Sequence, residues 1–75
     1  MVMLNDLEKN QFARIVDIEC KKDTRQKLYY HGISEGSFVR IVYPHGCITA
    51  NINSKLFNIS NNLAGKIRVV TVRGE

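Results

Sequence analysis

What constrains this chain most is how often its apolar pattern is interrupted. Short runs of β-branched and aromatic residues alternate with turn residues over all 75 positions, as in a protein built from many short strands. Phe12–Ile18 is the first such run, with Ala13 and Ile15 on one face and a slip in alternation near Val16 that suits a bulge. Phe38–Val42 follows a glycine and places Val39, Ile41 and Tyr43 on one face, with Phe38, Arg40 and Val42 on the other. Tyr43-Pro44-His45-Gly46 suits a β-turn. Cys47–Ile52 then alternates with Ile48, Ala50 and Ile52 inward, and Asn53-Ser54 makes a tight hairpin turn into Leu56–Ile59, with Phe57 and Ile59 inward. Ser60-Asn61-Asn62 caps a short turn at Leu63-Ala64-Gly65, and Lys66–Val72 is the fifth strand, with Ile67 and Val69 on its apolar face. At the start, Leu4 and Leu7 mark a short helical turn and Lys9-Asn10-Gln11 a polar one. Five strands in so short a chain predict a small curled β-barrel, an arrangement that also removes exposed sheet edges.

One helix interrupts this pattern. Glu19–Asp23 is a charged connection, and Thr24 is the expected N-cap of a helix reaching His31. Gly32 stands where a helix ends on a left-handed residue, and Ile33 should then fold back on Leu28. Gly36 allows a second reversal before the strand at Phe38.

A chain this short supports one domain, spanning residues 1–75, with a core of modest size. Hydrophobic residues make up 44% and charged residues 24%, which argues against disorder. The net charge of +4 permits an acidic partner without demanding one. No apolar run approaches the ~20 residues needed to cross a bilayer, and no signal-peptide pattern opens the sequence. A cytoplasmic protein with no direct membrane insertion, and with Cys20 and Cys47 reduced, is therefore expected.

Leu4, Leu7, the strand Ala13-Arg14-Ile15, the segment Arg25–Ile41, the turn Pro44-His45-Gly46 and the ending Ala64-Gly65-Lys66-Ile67-Arg68-Val69 together resemble the FeoA family of the bacterial ferrous-iron uptake system. The most specific part is the order and spacing of Lys27, Leu28, Gly32, Ile33 and Gly36. The resemblance implies a mainly β, small SH3-like barrel of about five strands, with one short helix inserted after the first strand. It also implies a non-catalytic role beside a membrane ferrous-iron permease that carries a guanine-nucleotide-binding domain. The same barrel resembles the third domain of metal-dependent transcriptional repressors, without their helix-turn-helix domain. Three positions depart from the family pattern: His31 replaces a leucine or methionine, Glu35 replaces a proline, and Cys47 stands in a loop that lacks a second proline.

Four residues are candidate ligands for a divalent ion such as Fe2+ or Zn2+: Cys20, His31, His45 and Cys47. No Cys-x-x-Cys and no histidine pair at helical spacing accompanies them, so the fold alone would have to assemble a site. His31 equally suits a helix C-terminus, and Cys20 a small filler at a strand end. No nucleophile motif or phosphate-cradling loop is present, which argues against an enzyme. Lys21, Lys22, Arg25 and Lys27, with Tyr29 and Tyr30, offer cations and rings to a nucleic acid, but Asp17, Glu19 and Asp23 lie among them. Arg25, Tyr29, Tyr30, Phe38 and Val42 are the residues expected to form a docking surface. The reading is a non-enzymatic accessory or regulatory protein of ferrous-iron uptake that contacts the cytosolic domain of the permease. A metal-sensing module and a small nucleic-acid-binding barrel are the alternatives, and self-association is left open.

Overall fold

The computed structural model describes residues 2–72. It is mainly β, with β1 at Val2–Met3, β2 at Phe12–Ile18, β3 at Phe38–Tyr43, β4 at Ile48–Ile52, β5 at Lys55–Ile59 and β6 at Ile67–Val72. Helix α1 is Lys22–Tyr30, helix α2 is Asn61–Ala64, and a single tight turn covers Leu4–Asp6. All strand pairs are antiparallel, in the order β1-β6-β2-β3-β4-β5. The described residues thus form six strands, not about five, because Val2 and Met3 pair with Val69 and Arg68. The ladder does not close: among the described residues β1 and β5 are end strands, so the expected removal of edges is not achieved by pairing. At one end the strand is only two residues long, which leaves little edge to pair.

Local chemistry explains the elements. In β2 the burial pattern alternates through Ala13 and Ile15, then shifts register between Ile15 and Asp17, which places the bulge at Val16. Asn53 (φ 53) and Ser54 (φ 70) both occupy the left-handed region, the geometry a two-residue hairpin loop requires, and Ile52 pairs with Lys55 across it. Ser60 caps α2, its side chain accepting from the Leu63 N–H at 3.2 Å.

Two expectations need correction. Tyr43 does not share the buried face of Val39 and Ile41, because the β3–β4 register shifts between Ile41 and Tyr43, and the extra residue turns its ring to solvent. Helix α1 begins at Lys22, with Lys21 as its cap and no side-chain cap bond, so Thr24 lies within the first turn. The Lys21 carbonyl already accepts from the Arg25 N–H at 2.9 Å, and Asp23 lies in the first turn, where a carboxylate suits the helix dipole.

The core is formed by the inner sheet face: Ile15, Val39, Ile41, Ile48, Ile52, Ile67 and Val69 are each at most 1% exposed. Leu4, Leu7 and Ala64 join it from the tight turn and α2. From α1 and the turn after it, Leu28 and Ile33 reach it.

Candidate docking site on helix α1

The helix is held at one end. Its C-terminus closes as a Schellman motif: the Ile33 N–H donates to the Leu28 carbonyl at 2.9 Å and the Gly32 N–H to Tyr29 at 3.0 Å. Gly32 has φ +85, which glycine adopts without Cβ strain. The Gly32 carbonyl then anchors the turn to the sheet, accepting from Asn53 Nδ2 at 2.8 Å and from the Ser37 hydroxyl at 3.2 Å. Ser37, a buried polar residue, also accepts from the Ser34 N–H at 3.1 Å. This small network ties the helix end, the loop before β3 and the β4–β5 hairpin together. The rest of α1 faces outward, since Leu28 is its one buried residue.

Helical spacing sorts the exposed side chains into two rows. Lys22, Arg25, Gln26 and Tyr29 line one shallow groove, and Asp23, Gln26, Lys27, Tyr30 and His31 line the neighbouring one. Tyr29 is 42% exposed and Tyr30 87%. The Tyr29 hydroxyl donates to the Glu35 carboxylate, at 3.0 and 3.1 Å from its two oxygens. Partial desolvation, then this bond and the adjacent negative charge, raise the Tyr29 pKa above the ordinary value of 10.0, with Arg25 opposing the shift. Tyr30 meets His31 edge to face at 5.4 Å, and His31 in turn meets Phe57 at 6.2 Å. Phe38 is 46% exposed and carries the Arg14 guanidinium 4.3 Å from its ring centroid. Val42 is half-buried within the β3 irregularity and Arg25 is half-buried on α1. The expected docking residues thus face outward or lie at the surface, in three groups: Arg25 with Tyr29, Tyr30 with His31, and Phe38 with Val42 on β3.

The candidate metal ligands are dispersed. Cys20 is half-buried against the core, Cys47 is exposed, and both are free thiols. His31 leans on Tyr30, and His45 meets Tyr43 edge to face at 5.5 Å. Among the described residues no group of three or more His, Cys, Asp or Glu side chains is placed to hold a metal ion.

Charge is distributed differently from what sequence proximity suggests. Glu19 pairs with Arg68 on β6, not with the helix lysines. Among the described residues none of Lys21, Lys22, Arg25 and Lys27 forms an ion pair. Four residues that shape the site were not singled out from sequence: Arg14, Glu35 as a hydrogen-bond acceptor, Ser37 and the side chain of Asn53. Their partners are remote in sequence or across a turn. The only advance signal was polarity beside glycine at Glu35 and Ser37. No helix among the described residues is long and apolar enough to cross a membrane.

Known proteins place this geometry. The FeoA domain model matches residues 2–71. A crystal structure of an iron uptake regulatory protein, FeoA, is 25% identical over 95% of this chain and 96% of its own, with a TM-score of 0.85. The solution structure of FeoA from Chlorobium tepidum is 23% identical over 99% of this chain and 73% of its own, with a TM-score of 0.89. T. acidophilum IdeR shares the fold at 23% identity and a TM-score of 0.82, over 96% of this chain and 34% of its own. No protein of curated function matches the sequence. The small SH3-like fold is therefore shared with these proteins, and the chain belongs to the FeoA domain family.

Proposed function

We propose that this protein is a non-enzymatic, cytoplasmic accessory of ferrous-iron uptake that acts by docking on the cytosolic domain of a membrane ferrous-iron permease. Family membership supports the role in ferrous-iron transport. The observation that carries the docking mechanism is α1: nine residues long, it buries Leu28 and leaves Tyr30 87% exposed. A helix fastened at one end, with rings and cations on its outer surface that form no ion pair among the described residues, suits a partner that covers it. Phe38 and Val42 on β3 extend the surface available to that partner.

Two measurements test this reading. Cells lacking the protein should lose ferrous-iron uptake, and uptake should return with the wild-type chain but not with Tyr29→Glu or Phe38→Glu. The purified protein should co-purify with the cytosolic domain of the cognate permease. Normal uptake without the protein contradicts the proposal.

Direct metal sensing is the second reading. Its support is the likeness to T. acidophilum IdeR and to a manganese-dependent transcriptional repressor, at 23% and 20% identity, which extends to the fold alone. Titration with Fe2+ or Zn2+ under reducing conditions separates the readings: saturable binding at micromolar metal supports sensing, and its absence rejects it.

A further inference from the structure

We infer that the partner segment received by α1 is an acidic stretch of protein, lying along the row Lys22, Arg25, Gln26 and Tyr29. The inference rests on the docking reading above and names the chemistry of the partner. Three observations converge on it. The groove is lined by two cations, an amide and a ring, with no carboxylate among its lining residues. Two of the nearby acids are otherwise engaged, since Glu19 pairs with Arg68 and both oxygens of Glu35 are held at the Tyr29 hydroxyl, while Asp23 lines the neighbouring groove. Lys21, Lys22, Arg25 and Lys27 meanwhile have no ion-pair partner among the described residues. An acidic segment would supply those missing partners, and the Tyr29 ring would add apolar contact at the far end of the row.

The geometry favours protein over other polyanions. From Lys22 to Tyr29 the row is roughly 10 Å long at the rise of an α-helix, which matches two or three acidic side chains on a short segment. A nucleic-acid backbone draws on many phosphate contacts, whereas this row offers two cations, Lys22 and Arg25. A membrane-binding helix needs a broad apolar face, and α1 offers only Tyr29 and Tyr30, on different rows.

The test uses the full chain and a labelled peptide alternating glutamate and leucine, followed by fluorescence anisotropy at low salt. Saturable binding is expected, weakening as salt rises. The double variant Lys22→Glu/Arg25→Glu should bind about tenfold more weakly or worse, from the loss and reversal of two complementary charges. Lys9→Glu/Lys55→Glu changes the net charge equally at two exposed sites that line neither groove of α1 and should leave affinity nearly unchanged. Matching melting curves confirm that both variants fold. Equal losses in the two double variants overturn the inference, because attraction would then be to the overall charge. Tighter binding of oligo(dT), or of vesicles containing phosphatidylserine, also overturns it. Against the permease domain, capture of the wild type and of Lys22→Glu/Arg25→Glu alike refutes the acidic row and leaves the proposed function intact. Row-dependent peptide binding without capture of the permease does the reverse.

Discussion

Replacing Gly32 by alanine isolates a single physical effect. Gly32 has φ +85, and a Cβ built there meets no atom within 4 Å. Steric collision with neighbours therefore contributes nothing, and the cost is that of holding an L-residue in the left-handed region, about 1–2 kcal/mol. The loss of unfolded-state freedom on adding a methyl group offsets part of this. A domain of this size changes its melting temperature by roughly 4–8 °C per kcal/mol, so Gly32→Ala should melt several degrees below the wild type. Gly32→Asn should lose less, since asparagine tolerates this region better. The decisive companion is D-alanine at the same position, introduced by chemical synthesis, which has the same methyl group with the opposite preference. It should equal or exceed the wild type. Equal losses for L- and D-alanine would refute the reasoning, because they would trace the glycine to space rather than to φ. Thermal denaturation followed by circular dichroism reads all four proteins.

Four further outcomes follow from the structure. Ser37→Ala leaves the Ser34 N–H without its acceptor and should cost about 1–2 kcal/mol in urea denaturation; Asn53→Gly, which keeps the turn's backbone freedom but loses the bond to Gly32, should cost about 1 kcal/mol. The Tyr29 phenol is raised above 10.0 by desolvation and by Glu35, so it stabilises the fold below the unfolded-state value and that contribution is lost as pH rises through the folded one; ultraviolet titration should find Glu35→Gln moving its ionisation downward. Ile67→Ala removes a side chain that is 0% exposed and should cost about 2–5 kcal/mol, a large share of the roughly 4–11 kcal/mol expected for so small a domain.

What could be read in advance was what is local. The Leu28–Ile33 ending needs only a helix, a glycine and an apolar residue in the right order, and the bonds from Gly32 and Ile33 form as that pattern implies. The Val16 bulge shows in the alternation itself, and Asn53-Ser54 takes the left-handed turn its hairpin spacing demands. What depends on distant pairing was hidden. Val2–Met3 is a strand only because β6 lies beside it, and Tyr43 turns outward only because β3 shifts against β4. The start of α1 lacks a side-chain cap, so Thr24 as the expected cap puts the boundary three residues late. The site divides in the same way. Exposure of Tyr29, Tyr30 and Phe38 follows from strand and helix periodicity. The Arg14–Phe38 and Asn53–Gly32 contacts join elements that sequence order keeps apart. The pairing of Glu19 with β6, which leaves the helix lysines without an ion pair among the described residues, has the same origin.

The docking claim meets its most direct test in calorimetric titration of the purified protein against the cytosolic domain of its cognate ferrous-iron permease, beside the variant Tyr30→Glu. Tyr30 is 87% exposed, so the substitution leaves the fold intact while placing a charge on the outer face of α1. The account predicts saturable binding by the wild type and at least about tenfold weaker binding by the variant, as for truncating an interface anchor. Absence of wild-type binding, or equal affinity for both proteins, would contradict it.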